Sequence, residues 1–421
     1  MLIVVISVYL LKRLHLLKQQ NKLKILNDPI YGFISVPNNE IFELIEHPYF
    51  QRLRRITQMG LSYLVYPGAN HTRFHHAIGC MHLMQKAVQV LRSKSVSISE
   101  VEENALYKAI LLHDLGHGPF SHALENLIVP GRHHEELSLL FMEDLNRQFN
   151  GSLTTAIQIF KGEYDRPFML ELVSSQLDMD RLDYLRRDSF YTGVAEGNIN
   201  SQRLIAMLNV KDDRLVVEEK ALYSVESFLS NRRLMYWQVY LHKTGIGAEH
   251  LLQSVFKRIA ELIQRDVVVE IPQTLRYFLK NDTNATKDLL EAFAMIDDSD
   301  VIQLLKINMS SSDFVLSELC KMIINRQLLK IKIVDKPVST NKLKSKIEKL
   351  KKSYNLTSEE AGYFIFNGTI SVSAYAKANP ILILNKKGKL EELTDATNEQ
   401  SFEALTKVVT KYYYCYPKIQ D

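Results

Sequence analysis

From Asn39 to about Ile263, apolar residues recur at three- and four-residue spacing, a period that predicts a succession of amphipathic helices. The segments AVQVL, ALYKAILL, LSLLFMEDL, MLELVSSQL and LLQSVFKRIAELI each carry it. Ahead of this region, ILNDPIYGFISVP alternates short apolar runs with the turn pairs Asp28-Pro29 and Tyr31-Gly32, which predicts a small hairpin. Val210 to Val217, around the turn KDDR, reads as one β excursion within the helical stretch. After about Asp266 the pattern changes. RQLLKIKIVDKP, AGYFIFNGTISV and NPILILNKKGKL read as strands, the last with a turn at Lys387-Gly388, and SFEALTKVVTKYYYC reads as a closing helix. The expected fold is mostly α: a helical domain over residues 24–265, a small α+β region over 266–421, and an N-terminal extension over 1–23. No internal repeat or low-complexity tract is evident.

Composition fits this picture. The 421 residues are 46% hydrophobic and 24% charged, as in ordinary globular proteins, and allow two domains or one large domain with an appendage. The net charge of +4 does not by itself argue for wrapping nucleic acid. Cys80, Cys320 and Cys415 are scattered with no CxxC pair, against a disulfide framework or zinc knuckle, so a reducing cytoplasm is expected. Leu2 to Leu11 is apolar apart from Ser7 and Tyr9, but falls short of the roughly 20 residues needed to span a bilayer. A frayed helical extension, or translation from an upstream start codon, is favoured there over a weak membrane contact.

One charge run stands out. NKLKSKIEKLKK holds six lysines between Lys342 and Lys352, and Leu343, Ile347 and Leu350 fall on one side of the helix it predicts. A solvated surface helix and a binder of phosphates are the two readings.

The densest chemistry lies in LLHDLGHGPFSH. His113 and Asp114 follow the apolar helix Ala105 to Leu112, and adjacent helical residues point about 100° apart. They can therefore face one ion from neighbouring directions. A buried Asp at such a place is costly unless paired or metal-bound. Upstream, HTRFHH ends at His76; downstream, DMDRLDYLRRD contains Asp180. Two imidazoles and two carboxylates suit a borderline-to-hard divalent cation. An isolated His-Asp pair would simply cap its helix. Here His117, His122, Glu125 and His134-Glu135 crowd the same glycine-rich stretch, which packing alone does not explain. Two helical stripes add to it: Asp180, Tyr184 and Asp188 with Arg181 beside the first, and Arg232, Tyr236 and Tyr240. Both set positive charge near aromatic hydroxyls, a reasonable wall for a nucleotide, although core packing also accounts for tyrosines at this spacing.

The ordered set His, His-Asp, Asp within YPGANHTRFHHAIG, HDLGHGPFSH and DMDRLDYLRRD resembles the HD-domain metal-dependent phosphohydrolases, and more narrowly their deoxynucleoside triphosphate triphosphohydrolase branch. The resemblance runs from about Lys24 to Lys243 and thins beyond. It implies metal ligation by His76, His113, Asp114 and Asp180, a divalent ion (iron, manganese, magnesium, nickel or zinc), and cleavage of a dNTP to deoxynucleoside and triphosphate. Departure of the sugar 5′-oxygen wants a general acid, ideally an imidazole. His117, His122 and His134 are candidates; the resemblance favours His122, oriented by Glu125, which stands where relatives carry Asp.

By similarity, Arg73, Arg181, Arg232 and Tyr240 would hold phosphates, Tyr184 and Asp188 the deoxyribose, and Gln58 would lie near the base. Tyr236 and Leu241 replace a histidine and a glutamine of the mammalian member, which leaves base and sugar selectivity open. Relatives are often oligomers activated by nucleotides between subunits. Glu46, Gln51 and Arg54, with Lys24 and Asn27, resemble part of such a regulatory site; an arginine-rich helix pairing with nearby carboxylates accounts for them equally well. The implied partners are a nucleotide substrate, a nucleotide effector and further copies of the chain in a dimer or tetramer. Nucleic acid is not required and a membrane is not expected. Two competing readings are an HD phosphohydrolase acting on an NTP, a nucleoside monophosphate or a cyclic dinucleotide, and a nucleotide- or nucleic-acid-binding module with little turnover.

Overall fold

A computed structural model describes residues 24–280, 286–397 and 406–418, so the expectation for the N-terminal extension lies outside the described residues. The fold is mostly helical, with small sheets at its periphery. The hairpin opens it: β1 (Ile25–Asp28) pairs antiparallel with β2 (Gly32–Ser35). Asp28 Oδ1 accepts the Ile30 and Tyr31 N–H groups at 2.8 and 3.0 Å, and Gly32 supplies the positive φ of +73°.

Helix α1 (Asn39–Glu46) is capped by Asn38, whose side chain accepts from Ile41 N–H. The central helix α2 (Arg73–Ser93) is buried over most of its length, carries His76, and packs on α3 (Glu100–Leu112) and on α6 (Met179–Thr192). Its contact with α6 is possible because position 79 is glycine: a Cβ there would stand 2.0 Å from Asp183 Oδ1 and 2.3 Å from Arg187 Nη2. Helix α3 begins at a reciprocal cap between Ser99 and Glu102 and ends at His113. Leu106, Ile110, Leu111 and Leu112 are fully buried, each contributing about 1.5–3 kcal/mol, which fixes where His113 and Asp114 emerge.

Two short helices, α4 (Ser121–Ile128) and α5 (His134–Gln148), follow the His-Asp pair. Gly116 brings that loop against the start of α5, where a Cβ would meet His134 O at 2.0 Å. Ser138 Oγ ties the two, accepting from Gly116 N–H at 2.8 Å and donating to His113 O at 2.6 Å. Strands β3 (Leu208–Lys211) and β4 (Arg214–Glu218) form the expected excursion. Then come α7 (Leu222–Met235) and α8 (Lys243–Gln264). Between them, Leu241 N–H donates to Tyr236 O at 2.8 Å, a wide i→i+5 turn of a kind found at functional sites.

Residues beyond 266 pack into the same core. Phe293 meets Phe141 and Phe278, and α9 (Asp298–Asn308) and α10 (Phe314–Ile324) follow, α10 lying along α8. Strand β5 (Lys330–Val334), helix α11 (Thr340–Tyr354) and strand β6 (Phe366–Val372) come next. Strands β7 (Leu382–Leu384) and β8 (Leu390–Glu392) turn at Gly388, and β7 pairs in parallel with β4, so the early excursion becomes a four-stranded sheet. The closing helix read over SFEALTKVVTKYYYC needs correction. Residues 401–405 lie outside the described residues, and Val409–Tyr416 is a strand, β9, at the centre of the order β5-β9-β6. Tyr413 and Cys415 point into the core, and β-branched and aromatic side chains favour that pleated surface over a helix.

Candidate active site

His76, from the first turn of α2, has its ring fixed from behind. Its Nδ1 bonds Asp183 Oδ2 at 2.8 Å, which leaves Nε2 directed at Asp180 Oδ1 (3.0 Å) and Asp114 Oδ2 (3.8 Å). His113 is oriented likewise, Nδ1 on Ile110 O at 2.6 Å and Nε2 3.3 Å from Asp114 Oδ1 and 3.6 Å from Asp180 Oδ1. A histidine that donates one ring N–H to a carboxylate or carbonyl while presenting the other nitrogen is the usual posture of a metal ligand. Nε2 of both rings and Asp180 Oδ1 thus converge, and Asp114 adjoins them, turning a different oxygen to each ring.

The donor set fits a divalent cation, and an observation besides proximity supports it. His113 Nε2 is buried and makes no hydrogen bond of good geometry among its neighbours. Burial disfavours charge on all four groups. Against it, Cys80 and then Asp180 and Asp183 raise His76, Asp114 and Asp180 raise His113, His113, His117 and Arg73 lower Asp114, and the two rings lower Asp180. Cys80 also lies within reach, its Sγ 3.4 Å from His76 Nδ1. Burial pushes its thiol well up, so in the ligand-free protein it is protonated; a cation beside it would favour the thiolate.

Behind the cluster runs a buried chain of charges that the sequence reading missed. Asp183 takes Arg187 through Nε (2.8 Å) and Nη2 (2.9 Å), and Arg187 Nη1 reaches Asp28 Oδ2 of the hairpin at 2.8 Å. The only sequence signal was that Asp180, Asp183 and Arg187 share one face of α6. Asp298 was missed too. Its Oδ2 accepts from Thr57 N–H and Oγ1 at 2.8 and 2.7 Å, its Oδ1 from Phe120 N–H at 3.1 Å, so it joins the loop carrying Gln58 to the start of α4, which carries His122. Phe120, held there, has a φ of +46°.

The three candidate proton-transfer histidines adjoin one another but differ in bonding. His117 stands between Asp114 (Nε2 to Oδ1, 3.2 Å) and Ser121 Oγ (2.5 Å); burial and then Arg73 lower it well below its ordinary value. It stacks on His134, with ring centroids 4.0 Å apart. Glu125 Oε1 bonds His134 through both its backbone N–H and Nδ1, at 2.7 Å each, so the hydrogen bonds of Glu125 go to His134 rather than to His122. His122, 5.7 Å from the His117 ring, lines a small cavity of about 20 Å³ with Gln58, Arg73 and Glu249. Burial and then Arg73 push it down to about 4. Glu249, which the sequence did not single out, is pushed up to about 7 by burial.

Of the expected substrate contacts, Arg73 bonds Asp114 Oδ2 through Nη1 at 2.6 Å, and Arg181 bonds Asp178, the cap of α6. Arg73 Nε, Arg181 Nε, and Arg232 Nε and Nη1 are buried donors without a protein acceptor; Gln58 Oε1 is a buried acceptor without a donor. Each such group costs about 1–3 kcal/mol unless a ligand or water satisfies it. Arg181 and Arg232 both act electrostatically on Tyr184, whose ring is 6.4 Å from His76 and 6.0 Å from Tyr240. Asp188 is already engaged on both oxygens, with His71 and with Tyr240 OH, each at 2.7 Å. Leu241 packs against the core next to Tyr240.

The residues of the expected regulatory site sit apart from this cluster in local contacts of their own. Lys24 lies over the Phe42 ring at 3.1 Å, and Asn27 pairs with Phe33 in the hairpin. Gln51 donates to Ile45 O (2.7 Å) and accepts from Arg54 Nε (2.8 Å); Arg54 covers the Phe74 ring at 3.5 Å and feels Glu46.

Comparison with known proteins agrees with the fold and the cluster. The HD domain model matches residues 73–188 and the HD associated region model residues 199–271. A phosphohydrolase of Bacteroides thetaiotaomicron, known from its crystal structure, superposes with a TM-score of 0.91 at 47% identity, over 94% of this chain and all of that one. The uncharacterized protein YwfO of Bacillus subtilis is 32% identical over 312 residues, 72% of this chain and 71% of its own. A Dictyostelium discoideum protein named deoxynucleoside triphosphate triphosphohydrolase SAMHD1 homolog is 31% identical over 269 residues; the match covers 59% of this chain and 52% of that protein. The chain belongs to the HD-domain phosphohydrolase family. It has no helix, among the described residues, long and apolar enough to cross a membrane.

Proposed function

We propose that this chain hydrolyses deoxynucleoside triphosphates to a deoxynucleoside and inorganic triphosphate, with a divalent cation held by His76, His113, Asp114 and Asp180. The observation that carries the reading is the set of unsatisfied guanidinium donors on Arg73, Arg181 and Arg232 beside the cluster of His76, His113 and Asp180 that Asp114 adjoins. A chain of phosphates supplies acceptors for all three, and Arg matches phosphate geometry well. The similarity to a relative named as such a triphosphohydrolase supports the same substrate class.

When bound, the cation polarises a phosphoryl oxygen and acidifies a coordinated water. The chain's own residues supply the rest. Arg73 neutralises phosphate charge while pinning Asp114 at 2.6 Å. His122 delivers a proton to the departing 5′-oxygen. Its ring is neutral in the ligand-free protein because burial and Arg73 hold it near 4; phosphate beside Arg73 offsets that cation and lifts the ring toward the range a general acid needs. Ser121 holds His117, which in turn holds Asp114, and Glu125 holds His134 against His117. Tyr184 and Tyr240 close the sugar side. Assembly into a dimer or tetramer and a nucleotide effector at Lys24, Asn27, Glu46, Gln51 and Arg54 belong to the same reading.

The test is to incubate manganese-loaded protein with each dNTP and resolve products by phosphorus NMR. Release of triphosphate is expected; pyrophosphate or monophosphate would reject the reaction. Ribonucleotides belong in the same panel, since Asp188 has both oxygens engaged and a sugar hydroxyl must share or displace one of those bonds.

A further inference from the structure

Far along the chain from the HD motifs, a cavity of about 440 Å³ opens between α11 and the end of β9. Five lysines line it: Lys330, Lys346, Lys349, Lys352 and Lys418, together with Tyr416. Three of them recur at three-residue steps on one side of α11, while Leu350 on another side is buried and lines a cleft with Phe314 and Met322 of α10. None of the five forms an ion pair with a described residue. Among the described residues, Glu348 of α11 is engaged with Lys351 at 3.0 Å and Asp335 with Lys411.

Five ammonium groups with no carboxylate partner among the described residues repel one another around one cavity, and a small, highly charged anion relieves that repulsion. The volume is that of a small-molecule site, roughly 300–1,000 Å³ in typical proteins. A nucleic-acid track would need aromatic faces open for stacking bases. Tyr416 does not offer one, because Lys346 sits 4.0 Å from its ring centroid and Tyr414 stacks beside it at 5.8 Å. Lys342 lies over Tyr414 in the same way, at 4.5 Å.

We propose that this lysine-lined cavity binds the phosphate chain of a small oligophosphate, either free inorganic triphosphate or the tail of a nucleoside triphosphate. The site is separate from the HD cluster and stands whether or not the chain is a triphosphohydrolase.

Isothermal titration of the full, chelator-treated chain with sodium tripolyphosphate, with dGTP and with a single-stranded oligonucleotide tests it. The comparison is between wild type and the triple variant Lys346→Gln, Lys349→Gln, Lys352→Gln, with circular dichroism to confirm the fold. Lys344→Gln, exposed and outside the cavity, controls for the loss of one surface charge. The triple variant is expected to lose one molar equivalent of bound tripolyphosphate, or to weaken it about tenfold or more, while the control does not. An equal loss for dGTP assigns the phosphate chain alone; a loss for dGTP only assigns the nucleotide tail. Unchanged isotherms overturn the proposal, as does a loss confined to the oligonucleotide, which would make the surface a nucleic-acid one.

Discussion

Replacing Asp183 probes the part of the site that holds His76 without itself facing the cation. Asp183 is fully buried and makes three bonds: 2.8 Å to His76 Nδ1, and 2.8 and 2.9 Å to Arg187. Asp183→Ala would leave Arg187, itself fully buried, with only Asp28 for a partner, and breaking a buried pair in this way costs about 3–5 kcal/mol. It would also free the His76 ring to turn, and loss of such an outer partner lowers metal affinity about 10- to 100-fold. Urea denaturation of the metal-free protein measures the first effect and titration with Mn²⁺ the second. Asp183→Asn keeps the shape and one acceptor, so it should fold and show an intermediate loss in both. A destabilisation below about 1 kcal/mol with unchanged Mn²⁺ affinity for the Ala variant would refute the idea that this chain of charges positions the site.

Three further outcomes follow from the geometry. Gly79→Ala should push α6 away from α2, because its new methyl would fall 2.0 Å from Asp183 Oδ1; lower thermal stability together with weaker Mn²⁺ binding is expected, and neither should change if the contact is slack. Glu249 keeps its proton to about 7 in the folded protein against 4.5 when free, so the folded state binds more protons between those values and stability falls as pH rises through them. Glu249→Gln should abolish that fall and exceed wild type by about 1–3 kcal/mol at pH 8, with no comparable pH-linked advantage at pH 4, as read by denaturation at both pH values. His122→Ala should retain metal but lose about 10²- to 10⁴-fold in kcat; a near-normal rate would move the proton-donor role to His117 or His134.

The meeting of His76, His113, Asp114 and Asp180 was legible because each sits in a short, polar-dense motif that packing does not explain. The support behind it was not. Arg187 meets Asp28 across 159 residues, and Asp298 meets Thr57 across 241, pairings that no local spacing announces. The hairpin at Asp28 was readable from its turn residues, yet nothing in that segment shows that the second carboxylate oxygen is reserved for a helix of the core. The last strand was misread for a related reason. Val409–Tyr416 has no alternation of polar and apolar positions, and its identity as a strand depends on β5 and β6 flanking it. Glu125 was expected to orient His122; the close approach at Gly116 instead brings the start of α5, and so His134, to that carboxylate.

Anomalous diffraction from crystals of the manganese-loaded chain tests the central claim most directly. One peak per chain is expected, within about 2.0–2.3 Å of His76 Nε2, His113 Nε2 and the carboxylates of Asp114 and Asp180, and none in an Asp114→Ala crystal. A peak at the second cluster of potential ligands among the described residues, Glu125, His134 and Glu135, with the first position dark, would contradict the account.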